Sequence, residues 1–229
     1  MLNPQLTYKL GEIGTEKQAI MIIDNFVTDP HGLINYAMQQ HDVLPASGHY
    51  PGLRSAAPKA YESMLENDLT ELLSAVFSLV PANISKADSY YSMVSTPVEH
   101  LSIIQQLPHF DQPNSEELAV IHYLCNEEQG GTSFYRHRSS GFEFIDPPRT
   151  DEYFSALENE IKRYGMPRKP CYINDENVFF KRVFSVAAKF NRAVIYRCSS
   201  LHSGDISPDY PFDLNPMTGR FTIASFIHS

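Results

Sequence analysis

Short β-type runs crowd the second half of this 229-residue chain, and they constrain its fold more than any other feature. DSYYSMVST, LSIIQQLPHFD, ELAVIHYLC, GTSFYRH, NVFFKRVFSVAAKF, RAVIYRC and GRFTIASFI are rich in Val, Ile, Phe, Tyr and Thr, with Pro, Gly, Asn and Asp clusters between them. Branched and aromatic side chains fill a pleated surface, and the intervening residues turn the chain sharply. Only one helical stretch, about 151–164, interrupts the runs, so successive parallel crossovers lack the helices they need. The expected class is α+β: early helices packed on a double-sheet or jelly-roll core built from 85–229.

The first third reads differently. AIMIID (19–24) predicts a strand. Asp29-Pro30 predicts a helix start, with Asp as N-cap and Pro in the first turn, running to about Gln40. Residues 41–58 carry His41, Pro45, Gly48, Pro51, Gly52 and Pro58 and read as an irregular loop. Met64, Leu65, Leu69, Leu72, Leu73, Val76 and Phe77 recur at helical spacing, which predicts one helix over about 60–79 ended by Pro81. With no linker-like shift in composition, 1–229 is expected to be one domain. Residues 1–84 would be its helical support, 85–229 its core, and about 138–178 an insertion.

Lys and Arg total 18 against 27 Asp and Glu, a net charge of −9, which leaves no basic surplus for a nucleic-acid backbone. Cys125, Cys171 and Cys198 are odd in number and lack the spacing of a zinc or dithiol motif, so they are expected to be reduced and to lie in or near the core. Nine histidines tilt any metal chemistry towards imidazole and carboxylate ligands. The first twenty residues hold no apolar run with a basic flank, and no stretch approaches the roughly 20 apolar residues of a membrane span. A cytoplasmic protein without a membrane partner is expected.

Three motifs could carry chemistry. His109-Phe110-Asp111 places an imidazole and a carboxylate on one face of an extended segment, suited to two neighbouring metal positions; alone, the tripeptide also describes a solvated pair after Pro108. His202, in Ser199-Ser200-Leu201-His202-Ser203-Gly204, follows the strand RAVIYRC and could reach inward, or simply bond within a turn. Arg220 and Thr222 share a face of the last strand, where a guanidinium fork beside a hydroxyl suits a carboxylate or a surface ion pair. Elsewhere, His122 would pack on the face opposite Tyr123, and Arg136, His137 and Arg138 would end a solvated strand. His49, Tyr50 and Arg54 lie in the early loop, where a substrate role competes with a plain surface one. Gly130-Gly131 reads as a hairpin turn. Phosphate-loop, dinucleotide-binding, nucleophile-elbow and His-Glu-x-x-His patterns are absent from the sequence.

In chain order, His-x-Asp, a histidine 93 residues later and then Arg-x-Thr resemble the 2-oxoglutarate- and Fe(II)-dependent dioxygenases. LAVIHYLC followed by GGTSFYRHR is similar to the strand pair that follows His-x-Asp in prolyl 4-hydroxylase-like members, and KFNRAVIYRCSSLHSG to the strand that delivers their distal histidine. IIDNFVTDPHGLINYA and YPGLR extend the likeness towards the N-terminus, closest to an uncharacterised bacterial branch associated with tryptophan-halogenase loci. The resemblance implies a double-stranded β-helix (jelly-roll, cupin-like) core. It implies Fe(II) on His109, Asp111 and His202, and 2-oxoglutarate on Arg220, with Thr222 and Tyr123 as further cosubstrate contacts. It also implies hydroxylation of an amino acid, peptide or small metabolite, since the halogenating relatives lack the carboxylate that Asp111 supplies. The 93-residue gap is longer than in compact members, and the Arg-x-Thr comes later than their usual basic residue. The alternatives are a catalytically silent binding or regulatory protein on the same barrel, or a cupin-type metal enzyme that does not use 2-oxoglutarate.

Overall fold

The computed structural model describes residues 1–40, 42–46, 50–166 and 169–228. Two strands open the chain, β1 (Thr7–Ile13) and β2 (Gln18–Asp24), followed by helix α1 (Pro30–Met38). Strands β3 (Leu44–Pro45) and β4 (Gly52–Ala56) precede helices α2 (Lys59–Asp68) and α3 (Thr70–Phe77). Then come β5 (Lys86–Val94), β6 (Leu118–Tyr123), β7 (Gly131–His137), α4 (Thr150–Tyr164), β8 (Phe180–Ala187), β9 (Arg192–Arg197), β10 (His202–Asp205) and β11 (Phe221–His228).

The strands form two antiparallel sheets. One has eight strands in the order β1-β2-β9-β6-β11-β5-β4-β3, the other three in the order β10-β7-β8. On β9, successive residues point to opposite faces. Ala193 and Ile195 join Met21, Val120, Ile223, Leu65 and Phe77 in an apolar cluster beneath the early helices. Val194 and Tyr196 join Ile20, Ala119, Phe134 and Val186 on the other face. The large sheet is therefore buried on both sides over its middle strands, as an α+β layering requires. A third cluster, with Tyr135, Ile145, Tyr153, Phe179 and Leu201, seats α4.

The strand-rich second half and the helices near 30–40 and 151–164 take the expected form. Three expectations need correction. Residues 1–84 contribute four strands to the large sheet as well as three helices. β1 escapes a hydrophobicity reading because it is an edge strand exposed over Thr7–Glu12, paired only with β2. The supposed loop 41–58 contains β3 and β4, which extend the sheet beyond β5. The helix over 60–79 is broken at Leu69, where the Thr70 hydroxyl donates to the Glu66 carbonyl at 2.5 Å, although the apolar spacing runs straight through.

Gly130-Gly131 is not a hairpin turn. It carries the chain from β6 in the large sheet to β7 in the small one. Gly130 has φ +97°, and a Cβ there would meet the Asp205 carbonyl oxygen at 1.8 Å, so only glycine fits. Residues 138–179, with α4, form the connection between paired strands β7 and β8.

Candidate metal centre

The site is assembled by the backbone first. His109 lies outside the named strands, in an isolated antiparallel bridge with His202 at the start of β10. The His109 amide donates to the His202 carbonyl at 2.9 Å, and the His202 amide donates to the His109 carbonyl at 2.8 Å. Two residues on, the Asp111 amide donates to the Cys198 carbonyl at 2.8 Å. The extended 109–111 segment thus runs between β10 and the end of β9, and its alternation brings His109 and Asp111 to the same side.

The side chains converge. His109 Nε2 lies 3.8 Å from Asp111 Oδ1, and His202 Nε2 lies 3.6 Å from Asp111 Oδ2. One donor atom from each residue falls within 4.8 Å of the other two. The two distances to Asp111 exceed the about 3 Å between ligands of one ion by less than an ångström. The His109 and His202 ring centres are 4.4 Å apart. His202 is buried, and its Nδ1 donates to the Ser200 carbonyl at 3.0 Å, which leaves the Nε2 lone pair directed at the cluster. Two imidazole nitrogens and one carboxylate oxygen suit a divalent transition metal and leave further coordination positions open.

Arg220 precedes β11 and is buried. Its Nη2 donates to the Gly131 carbonyl at 2.8 Å, and its amide donates to the Tyr210 hydroxyl at 2.6 Å. Its Nε is buried without a hydrogen-bond partner among the described residues, as is the Tyr50 hydroxyl. Burial pushes the Tyr50 phenol well above its ordinary range, against the pull of nearby Arg220. Arg220, Tyr50, His109, Gly204 and Tyr172 line one cavity of about 50 Å³. Gly204 makes room for the guanidinium: a Cβ there would stand 3.2 Å from Arg220 Nη2. Two orphaned polar hydrogens beside a cation, next to an N₂O donor set, fit a small carboxylate that also reaches a metal.

The other sequence candidates fall as follows. The Tyr123 hydroxyl shares a 2.6 Å hydrogen bond with Thr132, and burial raises its pKa to about 12. Thr222 donates a long 3.4 Å bond to the Ser92 carbonyl and is buried in the large sheet near Arg220. The site therefore draws on both sheets and on the bridged segment between them.

His122 packs on the far face of β6. Tyr61 lies 3.2 Å from its Nδ1, and Asn191 Oδ1 lies 3.1 Å from its Nε2. Arg136 is ion-paired with Glu143 and Arg138 with Glu176 at 2.6 Å, and His137 Nε2 lies 2.8 Å from Glu160, so that strand end is tied down by polar contacts rather than merely solvated. His49 lies outside the described residues. Cys125 and Cys198 are buried free thiols, whereas Cys171 is exposed rather than in the core.

Two residues went unnoticed in the sequence. Tyr196 stands edge-on to His202 at 4.8 Å between ring centres, and its buried hydroxyl has no partner among the described residues. Its phenol is held far above its ordinary pKa by burial and then by the Asp111 charge. Tyr210, which accepts the Arg220 amide hydrogen, is the other. The alternation of RAVIYRC could have flagged Tyr196 as inward-facing, but nothing local marks Tyr210.

The fold is that of enzymes described as non-haem and α-ketoglutarate dependent. The carbocyclase SnoK from nogalamycin biosynthesis matches with a TM-score of 0.53 at 12% identity, over 93% of this chain and 80% of its own. The epimerase SnoN from the same biosynthesis matches with a TM-score of 0.51 at 11% identity, over 92% of this chain and 79% of its own. Residues 4–227 match a family of unknown function, DUF6445, and the chain belongs to that family. No curated protein matches the sequence. Among the described residues, no helix is long and apolar enough to cross a membrane.

Proposed function

We propose that this protein is a non-haem Fe(II)- and 2-oxoglutarate-dependent oxygenase that hydroxylates an amino acid, peptide or small metabolite on a double-stranded β-helix core. The observation that carries the reading is the convergence of His109, Asp111 and His202 beside a cavity that also holds Arg220. His109 and His202 would supply neutral imidazole nitrogens and Asp111 a carboxylate. The Ser200 carbonyl keeps the His202 proton on Nδ1, away from the ion. Arg220 and the Tyr50 hydroxyl would take the far carboxylate of 2-oxoglutarate, satisfying the two groups that are otherwise unpaired.

When bound, ferrous iron and 2-oxoglutarate supply oxygen activation coupled to decarboxylation. The chain's part is to orient the cosubstrate, to exclude water with the apolar wall of Phe134 and Tyr196, and to hold the His202 proton on Nδ1. Retention of Asp111 favours hydroxylation, because the carboxylate occupies a coordination position that a halide would need.

The experiment is succinate release from 2-oxoglutarate with added Fe(II), beside calorimetric titration of the protein with 2-oxoglutarate. Metal-dependent binding and slow succinate release are expected. Absence of both would overturn the reading. Binding without turnover across candidate substrates would instead favour a silent binding protein on the same fold.

A further inference from the structure

A second, larger cavity of about 540 Å³ opens on the Asp111 side of the site. Its walls come from the β3–β4 edge, from β5, from the end of β11 and from Gln112 and Glu117. Its lining carries four acids, Asp42, Asp88, Asp111 and Glu117. Asp88 is engaged by Lys86 at 2.7 Å and His228 at 3.2 Å, Glu117 by His228 at 3.5 Å, and Asp42 also lines the cavity.

Against these acids stands Arg54, the lining's one Lys or Arg among the described residues. Its Nε donates to the Ser92 hydroxyl at 3.2 Å. Its guanidinium lies over the Tyr50 ring at 4.7 Å and the Tyr90 ring at 5.7 Å. Among the described residues, its contacts are this hydroxyl and the two rings, with no ion pair to a carboxylate. Stacked rings and the Nε bond fix the plane of the fork while leaving it without an ion pair among the described residues, which suits a carboxylate receptor. Tyr50 links the two cavities: it lines the smaller one with Arg220, and its ring carries Arg54, which lines the larger one.

We propose that Arg54 binds the carboxylate of the substrate, so that this cavity takes a small zwitterion of the amino-acid type, with its cationic group towards Asp42 and Asp88. The proposal rests on the oxygenase reading and narrows its substrate class. The acidic walls disfavour a polyanion, and the fork disfavours a carboxamide or ester in the same place.

The test follows the tyrosine and phenylalanine ring signals of the protein by NMR. One sample is titrated with a mixture of the free L-amino acids and another with the corresponding amides, each to about 10 mM, where even a millimolar complex is populated. The acid mixture is expected to shift the Tyr50 and Tyr90 signals and the amide mixture to leave them in place. R54Q is expected to weaken the response at least roughly tenfold, and R54K, which keeps the charge without the fork, to weaken it less. The spectrum itself reports whether each variant is folded. No response to the acids, an equal response to the amides, or an undiminished response in folded R54K and R54Q overturns the proposal. A 2-oxoglutarate titration of the same samples separates the two readings. Weaker 2-oxoglutarate binding in R54Q alone would assign the fork to the cosubstrate and overturn the substrate proposal, whereas no binding by the unaltered protein would strike the oxygenase reading itself.

Discussion

His202 Nδ1 donates to the carbonyl of Ser200, two residues earlier, at 3.0 Å, and its Nε2 faces Asp111 at 3.6 Å. A carbonyl can only accept, so the tautomer is settled by the turn that ends β9. Replacing His202 or Asp111 by Ala is expected to lower affinity for added ferrous iron by more than about 100-fold, since each would supply a direct ligand in the proposed centre. A metal titration monitored by calorimetry checks this, with circular dichroism as the control for folding. Unchanged affinity in either variant would place the metal elsewhere.

Gly204 tests the proposed carboxylate pocket without touching its charge. G204A brings a methyl to 3.2 Å from Arg220 Nη2, whose place is held by the Gly131 carbonyl. The guanidinium must shift by a few tenths of an ångström, and 2-oxoglutarate affinity is expected to fall roughly tenfold, while iron affinity stays within a factor of about two. Equal losses for both would point to general disruption of β10 instead.

Tyr123 separates two roles. Y123F leaves the Thr132 hydroxyl without its 2.6 Å partner in a buried place, at an expected cost of about 1–2 kcal/mol in urea unfolding. Because that hydroxyl is already bonded within the chain, 2-oxoglutarate affinity is expected to change by less than about threefold, far less than in R220K. A larger loss in Y123F would return Tyr123 to the cosubstrate contacts.

His122 gives the fold a pH dependence of its own. Burial lowers its pKa from 6.5 to about 4, with the Asn191 hydrogen bond opposing the shift. The unfolded chain therefore takes up this proton before the folded one does, and stability falls as pH drops from about 6.5 through 4. The full loss from this group is about 3 kcal/mol, reached below pH 4. Urea unfolding at a series of pH values should show this limb, and H122Q should flatten it. An equally steep limb in H122Q would assign the effect to other groups.

What the sequence revealed depended on how local the cause was. His109 and Asp111 were legible because alternation along three residues decides that they share a face, and His202 because a strand and a glycine bracket it. Arg54 and Tyr50 were visible only as members of a Pro- and Gly-rich loop, since their meaning comes from pairing between β4 and β5. β1 was hidden because an exposed edge strand needs no apolar alternation. Tyr210 reaches the Arg220 amide across ten residues of irregular chain, which no periodicity encodes.

The paired backbone hydrogen bonds between His109 and His202 also bear on how a metal would come and go. Bringing together residues 93 apart costs chain entropy of about 4 kcal/mol by the (3/2)RT ln n scaling. That cost falls on the folding of the two segments against each other, before any ion arrives. The two segments are joined by their own backbone hydrogen bonds, so in the proposed centre the approach of the two histidines would not depend on metal coordination alone.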